Sequence, residues 1–127
     1  MINPFSLEGK TILVTGASSG IGRATAIACS QMGATVVVTG RNEQRLQETF
    51  EALEGDGHMQ IAADLASDEQ IDALVEHLPM IHGLVNNAGI TETCLTNFIK
   101  RDKLDKIMEV NTIAPIIITQ KILKKKN

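Results

Sequence analysis

Short apolar runs alternate with amphipathic stretches along nearly the whole chain. Thr11-Ile12-Leu13-Val14, Ala34 to Thr39 (ATVVVT), Met59 to Ala63 and Gly83-Leu84-Val85-Asn86 have the length and composition of buried strands. Between them lie helical patterns. The alanine-rich segment after Gly20 places Ile21, Ala24, Ile27 and Ala28 at helical spacing, and Asn42 opens a helix through about Leu53 with Leu46, Phe50 and Leu53 inward. Glu54-Gly55-Asp56-Gly57 reads as a turn. Ser67 and Gln70 form a capping box before a helix that carries Ile71, Leu74, Val75 and Leu78 and stops at Pro79. A loop from Ala88 to about Arg101 leads into a last long helix. Strands alternating with helices in this way require right-handed crossovers. The pattern therefore predicts one α/β domain over 1–127 with a doubly wound parallel sheet of Rossmann type.

The first strand is followed at once by Thr15-Gly16-Ala17-Ser18-Ser19-Gly20-Ile21-Gly22. Each glycine has a physical task in a dinucleotide phosphate cradle. Gly16 makes the tight strand-to-turn bend, Gly20 lets backbone approach a pyrophosphate, and Gly22 lets the new helix pack close to the sheet. The helix beginning near Ile21 points unpaired N–H groups and its positive dipole end at the anion, and Ser18 and Ser19 supply hydroxyls. In a doubly wound sheet, ligands bind at the carboxyl ends of the strands. The glycine motif, Gly40-Arg41, Asp64-Leu65 and Asn87 to Gly89 all follow strands, so they converge on one edge.

The end of the second strand bears on the choice of cofactor. An acidic residue roughly 18 to 20 residues past the glycine motif would hold the 2′-hydroxyl of NAD. The chain has Thr39-Gly40-Arg41-Asn42 instead. With no carboxylate to repel a 2′-phosphate and the Arg41 guanidinium able to pair with one, NADP(H) is favoured over NAD(H).

Composition narrows the rest. At 127 residues the chain is small for a complete nucleotide-dependent enzyme with its own substrate pocket. A formal net charge of −3 gives no reason to expect nucleic acid, and Cys29 and Cys94 are too few and too far apart for a disulfide scaffold or a metal site. His58, His77 and His82 lack ligand spacing and read as surface or strand-end residues, so no metal is expected. Neither a leader pattern nor a membrane-length apolar run occurs, which makes the expected location cytoplasmic. There are three Phe, no Trp and no Tyr.

Together, Gly9-Lys10, the glycine motif at Thr15 to Gly22, Asp64-Leu65, Asn86-Asn87-Ala88-Gly89 and Asn111 resemble the short-chain dehydrogenase/reductase family, in particular its 3-oxoacyl-(acyl-carrier-protein) reductase-like members. The resemblance covers almost the whole chain. It implies that Asp64 accepts from the adenine amino group, that the Leu65 backbone contacts the same ring, and that Asn87, Ala88 and Gly89 line the adenine-side ribose and brace the sheet. A purely structural role for Asn86 and Asn87 at the strand end is an equal alternative.

The family reduces a carbonyl by hydride transfer with a serine and a Tyr-x-x-x-Lys pair. None of its tyrosine is present here. Asn111 is the one catalytic member that the resemblance finds. Pro115 follows four residues later without an N–H, freeing the Asn111 carbonyl to hold a water in a proton relay. The expectation is thus the NADP(H)-binding portion of a carbonyl reductase, incomplete at its C-terminus and inactive alone. The alternative is a non-catalytic dinucleotide-binding module or sensor, or a subunit completed by another chain. Ile107, Val110, Ile113, Ile116, Ile117, Ile118 and Ile122 give the last helix an apolar surface wider than one sheet contact needs, which together with the resemblance suggests a homo-oligomer. Lys124-Lys125-Lys126 suits the C-terminus of that helix.

Overall fold

A computed structural model describes residues 2–91 and 93–126. Four strands, β1 (Thr11–Val14), β2 (Thr35–Gly40), β3 (Met59–Ala62) and β4 (Gly83–Val85), form one sheet in the order β3-β2-β1-β4. Every pairing is parallel, with Val14 level with Val38 and Val85. The order turns back at β1, whose two sides hold β2 and β4. This is the doubly wound layer that the alternating pattern predicts.

The pleat sorts the strand side chains onto two faces. Ile12, Val14, Val36 and Val38 face α1 (Gly20–Gln31) and α2 (Glu43–Ala52), where Ala26 and Leu46 meet them. Leu13 and Val37 face the other way, onto Ile71, Leu74 and Val75 of α3 (Asp68–His77) and Ala114 and Ile118 of α5 (Ala114–Lys126). Full burial of each Val, Leu or Ile contributes about 1.5–3 kcal/mol, so each helical layer is held by its own alternate set of strand residues.

The register of α1 departs from the sequence reading. Its buried stripe is Gly22, Ala26 and Ser30, while Ile21 is exposed along with Ala24 and Ala28. Small side chains win this face because the helix lies close to the glycine turn. A Cβ on Gly22 would stand 2.1 Å from the Gly16 carbonyl oxygen. That contact fixes the rotation of the helix and turns Ile21 outward.

The capping box before α3 is also half formed. Ser67 Oγ accepts from the Gln70 N–H at 3.3 Å, but the Gln70 side chain accepts from the Asp64 N–H at 2.7 Å instead of returning to Ser67. Gln70 thereby ties the helix start to the end of β3. Between β4 and the last helices, a 3₁₀ turn (Thr96–Phe98) precedes α4 (Arg101–Met108). A π turn over Glu109–Ile113 then joins α4 to α5, with the Ala114 N–H reaching back to the Glu109 carbonyl. This wide turn sits directly before Pro115 and accommodates its missing N–H.

Lys125 serves a different helix end from the one its position suggests. Its Nζ donates to the carbonyls of Val75 at 2.7 Å, Glu76 at 2.9 Å and Leu78 at 2.8 Å, so it caps α3 across the interface with α5. His58 and His82 stand at strand starts, as expected. Nδ1 of His58 accepts from the Val36 N–H and Nδ1 of His82 from the Thr11 N–H, each at 3.0 Å.

Candidate functional site

The carboxyl ends of the four strands open into one cleft of about 570 Å³. Gly16, Ser18 and Ser19 come from the turn after β1, Gly40 and Arg41 from the end of β2, Leu65 from the segment after β3, and Asn87, Ala88 and Gly89 from the segment after β4. Most of the residues singled out in the sequence are thereby brought together. Gly20, Ile21 and Gly22, at the start of α1, and Asp64 and Asn111 are not among the residues that line the cleft. One carboxylate oxygen of Asp64 accepts from the Ala66 N–H at 3.0 Å, closing the turn that presents Leu65.

Thr15 organises the floor, a role the sequence reading did not assign to it. Its buried hydroxyl donates to the Val85 carbonyl at 3.3 Å and accepts from the N–H groups of Asn87 and Ala88, each at 3.0 Å. One donor and two acceptor positions are all used. Asn87 then donates from Nδ2 to the Gly16 carbonyl at 3.2 Å, so the segment after β4 is stitched to the glycine turn from both sides. Thr49 of α2, also fully buried, donates to the Ala17 carbonyl at 2.8 Å and secures the turn from the helical layer.

The turn divides its glycines by task. Gly16 has φ +61°, and an added Cβ would lie 2.7 Å from the Ala88 Cα; Gly22 presses on the Gly16 carbonyl. Gly20 has φ +57°, yet nothing lies within 4 Å of where its Cβ would point. Two glycines therefore serve packing, and the third keeps open space at the start of α1.

Donors at that start are unspent. Ser19 occupies the N-cap of α1 in an extended conformation, and its side chain accepts no capping bond. By contrast, Asn42 caps α2 by accepting from the Arg45 N–H at 3.0 Å, and Ser67 caps α3. The opening N–H groups of α1 and its positive end are thus left for an anion. Charge agrees. Among the described residues, the charged ones lining the cleft are Arg41 and Arg45, with no acid beside them, although the chain carries 15 Asp and Glu against 12 Lys and Arg. Arg45 was missed in the sequence; its signal was a second arginine one helical turn past Arg41.

Asn111, in the π turn, lies behind the cleft wall and acts on its backbone. Its Nδ2 donates to the Ile90 carbonyl and its Oδ1 accepts from the Ile90 N–H, both at 2.8 Å. Ile90 and Val110 close that side of the cleft. Among the described residues no group of three or more His, Cys, Asp or Glu could hold a metal ion, and no helix is long and apolar enough to cross a membrane.

A parallel layer with a glycine turn, an uncapped helix start and a cationic rim at its carboxyl edge defines a nucleotide-binding class of α/β protein. A family model described as short chain dehydrogenase matches residues 10–126, and the chain belongs to that family. It is 36% identical over 119 residues to 3-oxoacyl-[acyl-carrier-protein] reductase FabG of Rickettsia felis, covering 94% of this chain and 49% of that one. Over 124 residues it is 34% identical to L-xylulose reductase of Caenorhabditis elegans, with the same coverage of 94% and 49%. The solved structure of L-sorbose reductase from Gluconobacter frateurii, complexed with NADPH and L-sorbose, superimposes with a TM-score of 0.88 at 29% identity. That match covers 94% of this chain and 48% of the reductase. The chain spans about half the length of the curated relatives it matches.

Proposed function

We propose that this chain is the cofactor-binding portion of a short-chain oxidoreductase and binds a nicotinamide dinucleotide, NADP(H) in preference to NAD(H). The observation that carries the reading is the start of α1: Ser19, whose hydroxyl makes no capping bond, lines the same cleft as Arg41, and the open side of Gly20 and the uncapped N–H groups follow it directly in the chain. Gly16, Ser18, Ser19, Gly20, Ile21 and Gly22 hold the pyrophosphate. Leu65, presented by the turn that Asp64 closes, contacts the adenine, Asn87, Ala88 and Gly89 line its ribose, and Arg41 pairs with a 2′-phosphate. When bound, the nicotinamide supplies hydride for reduction of a carbonyl, of the 3-oxoacyl kind or similar.

The chain's own residues do the binding and positioning. Asn111 steadies the Ile90 backbone, and in the proposed mechanism its own carbonyl holds a relay water. These residues include no tyrosine to protonate a developing alkoxide, so they bind the dinucleotide without turning over a carbonyl by themselves. The exposed Leu104, Met108, Ile113, Ile116 and Leu123 favour a second reading of the same cleft, as part of a homo-oligomer or of a subunit completed by another chain.

Calorimetric titration with NADPH and NADH tests the assignment. NADPH is expected to bind more tightly, and Arg41→Asp to abolish the preference. Equal affinities in the unaltered chain overturn the NADP(H) preference, and absence of binding overturns the dinucleotide reading.

A further inference from the structure

Helix α2 packs Leu46 and Phe50 against the core, yet its other inward residue, Thr49, is polar and fully buried. A hydroxyl is stable in such a place only with a hydrogen-bond partner. Two carbonyls are in reach, that of Arg45 in its own helix at 3.3 Å and that of Ala17 in the glycine turn at 2.8 Å. One proton cannot serve both equally, and the shorter bond goes to the turn.

Ala17 is held by both of its backbone groups. Its N–H donates to the Thr39 carbonyl at 3.0 Å. Its carbonyl, buried with the rest of the residue, accepts from Thr49 and from no other group among the described residues. The peptide unit that joins Ala17 to Ser18 is planar and trans, so the Ser18 N–H points opposite to that carbonyl, away from Thr49. This N–H has no hydrogen-bond partner among the described residues, and Ser18 lines the cleft.

We propose that Thr49 is a positioning residue for dinucleotide binding: by drawing the Ala17 carbonyl into the helical layer, it turns the Ser18 N–H outward as a donor to the bound ligand. This rests on the dinucleotide reading above. Without the hydroxyl, the Ala17 carbonyl becomes a buried acceptor with no partner, and rotating its peptide plane toward the cleft restores contact with water. The rotation withdraws a donor from the ligand and presents a carbonyl oxygen, which repels an anion. Thr49 acts only through Ala17, since it does not itself line the cleft.

The test combines calorimetric titration with NADPH and amide NMR of the full chain and its variants. Thr49→Val keeps the shape and removes the donor, whereas Thr49→Ser keeps the donor. NADPH is expected to shift the Ser18 amide resonance of the unaltered chain. Thr49→Val, shown to be folded by circular dichroism, is expected to bind NADPH about tenfold more weakly and to lose the Ser18 response. Thr49→Ser is expected to stay within about threefold of the unaltered affinity and to keep that response. If the valine variant does not fold, Thr49→Ala carries the test, because alanine and serine at this position differ by the hydroxyl alone. A residue that only stabilised the fold would lower the urea midpoint and leave the affinity and Ser18 response of the folded variant intact; that result overturns the proposal. A serine variant as weak as the valine or alanine one overturns it as well, and so does a Ser18 amide that NADPH leaves unmoved in the unaltered chain while the Ser19 and Gly20 amides shift. Absence of NADPH binding to the unaltered chain overturns the dinucleotide reading itself.

Discussion

Asn111 holds Ile90 by both of its backbone groups, donating to the carbonyl and accepting from the N–H at 2.8 Å each. The pairing copies the exchange between neighbouring strands, with a side-chain amide standing in for a peptide. It is the π turn at Glu109–Ile113 that presents the amide at this point, and the consequence is a fixed path for the chain leaving β4. Gly89 lies beneath it, with its absent Cβ only 3.5 Å from Asn111 Oδ1.

Replacing Asn111 with alanine is expected to cost about 1–2 kcal/mol, the net worth of two exposed hydrogen bonds. Asn111→Asp keeps the acceptor for the Ile90 N–H but sets a carboxylate against the Ile90 carbonyl, and is expected to cost at least as much. Urea denaturation measures the loss, and hydrogen exchange at the Ile90 amide locates it. An Ile90 amide that exchanges no faster in either variant contradicts the role.

Gly20 and Gly22 separate binding from folding. Gly22→Ala drives a Cβ into the Gly16 carbonyl and, because backbone meets backbone, is expected to destabilise by about 2 kcal/mol or more. Gly20→Ala meets no atom; its left-handed backbone costs about 1–2 kcal/mol, and under the proposed dinucleotide reading the added methyl obstructs the pyrophosphate. Thermal melts with and without NADPH are expected to show a large drop in Tm for Gly22→Ala, and for Gly20→Ala a small drop with loss of the NADPH-induced rise. A full NADPH-induced rise in Gly20→Ala removes that glycine from the cradle.

The strands, their parallel pairing and the cleft edge were legible because short apolar runs between helical patterns allow few topologies. What was not legible follows from contacts between distant segments. The rotation of α1 is set by the Gly22 to Gly16 approach, which outweighs the apolarity of Ile21 and leaves it 77% exposed. Thr49 is polar on a face read from Leu46, Phe50 and Leu53, and only the Ala17 carbonyl opposite explains its complete burial. Gln70 likewise answers to Asp64, whose N–H the start of α3 brings within reach.

The two thiols are expected to differ in reactivity. Cys29 packs half-buried against the α1 side of the core, and burial pushes its pKa up; Cys94 is exposed. A raised pKa means less thiolate at a given pH, and access is poorer as well. Iodoacetamide at pH 8 is therefore expected to alkylate Cys94 at least about tenfold faster, as followed by peptide mass spectrometry. The difference should vanish in denaturing urea. Equal rates in the folded chain contradict the packing assigned to Cys29.

Lys125 closes the contact between α5 and α3 by a charge at a helix end. Three carbonyls at the negative end of α3 receive one ammonium, while Lys121 pairs with Asp72 further along the same two helices. Hydrogen bonds to a charged donor contribute more than neutral ones, and of these carbonyls that of Val75 also accepts from the Leu78 N–H at 3.2 Å. Lys125→Met, which keeps the length of the stem and removes the ammonium, is expected to lower stability by about 1–3 kcal/mol. Lys124→Met, one residue away, serves as the control and is expected to change it by less than about 0.5 kcal/mol. Equal losses in the two variants would show that the lysines act only through net charge, whereas a loss confined to Lys125 assigns it to the three carbonyls.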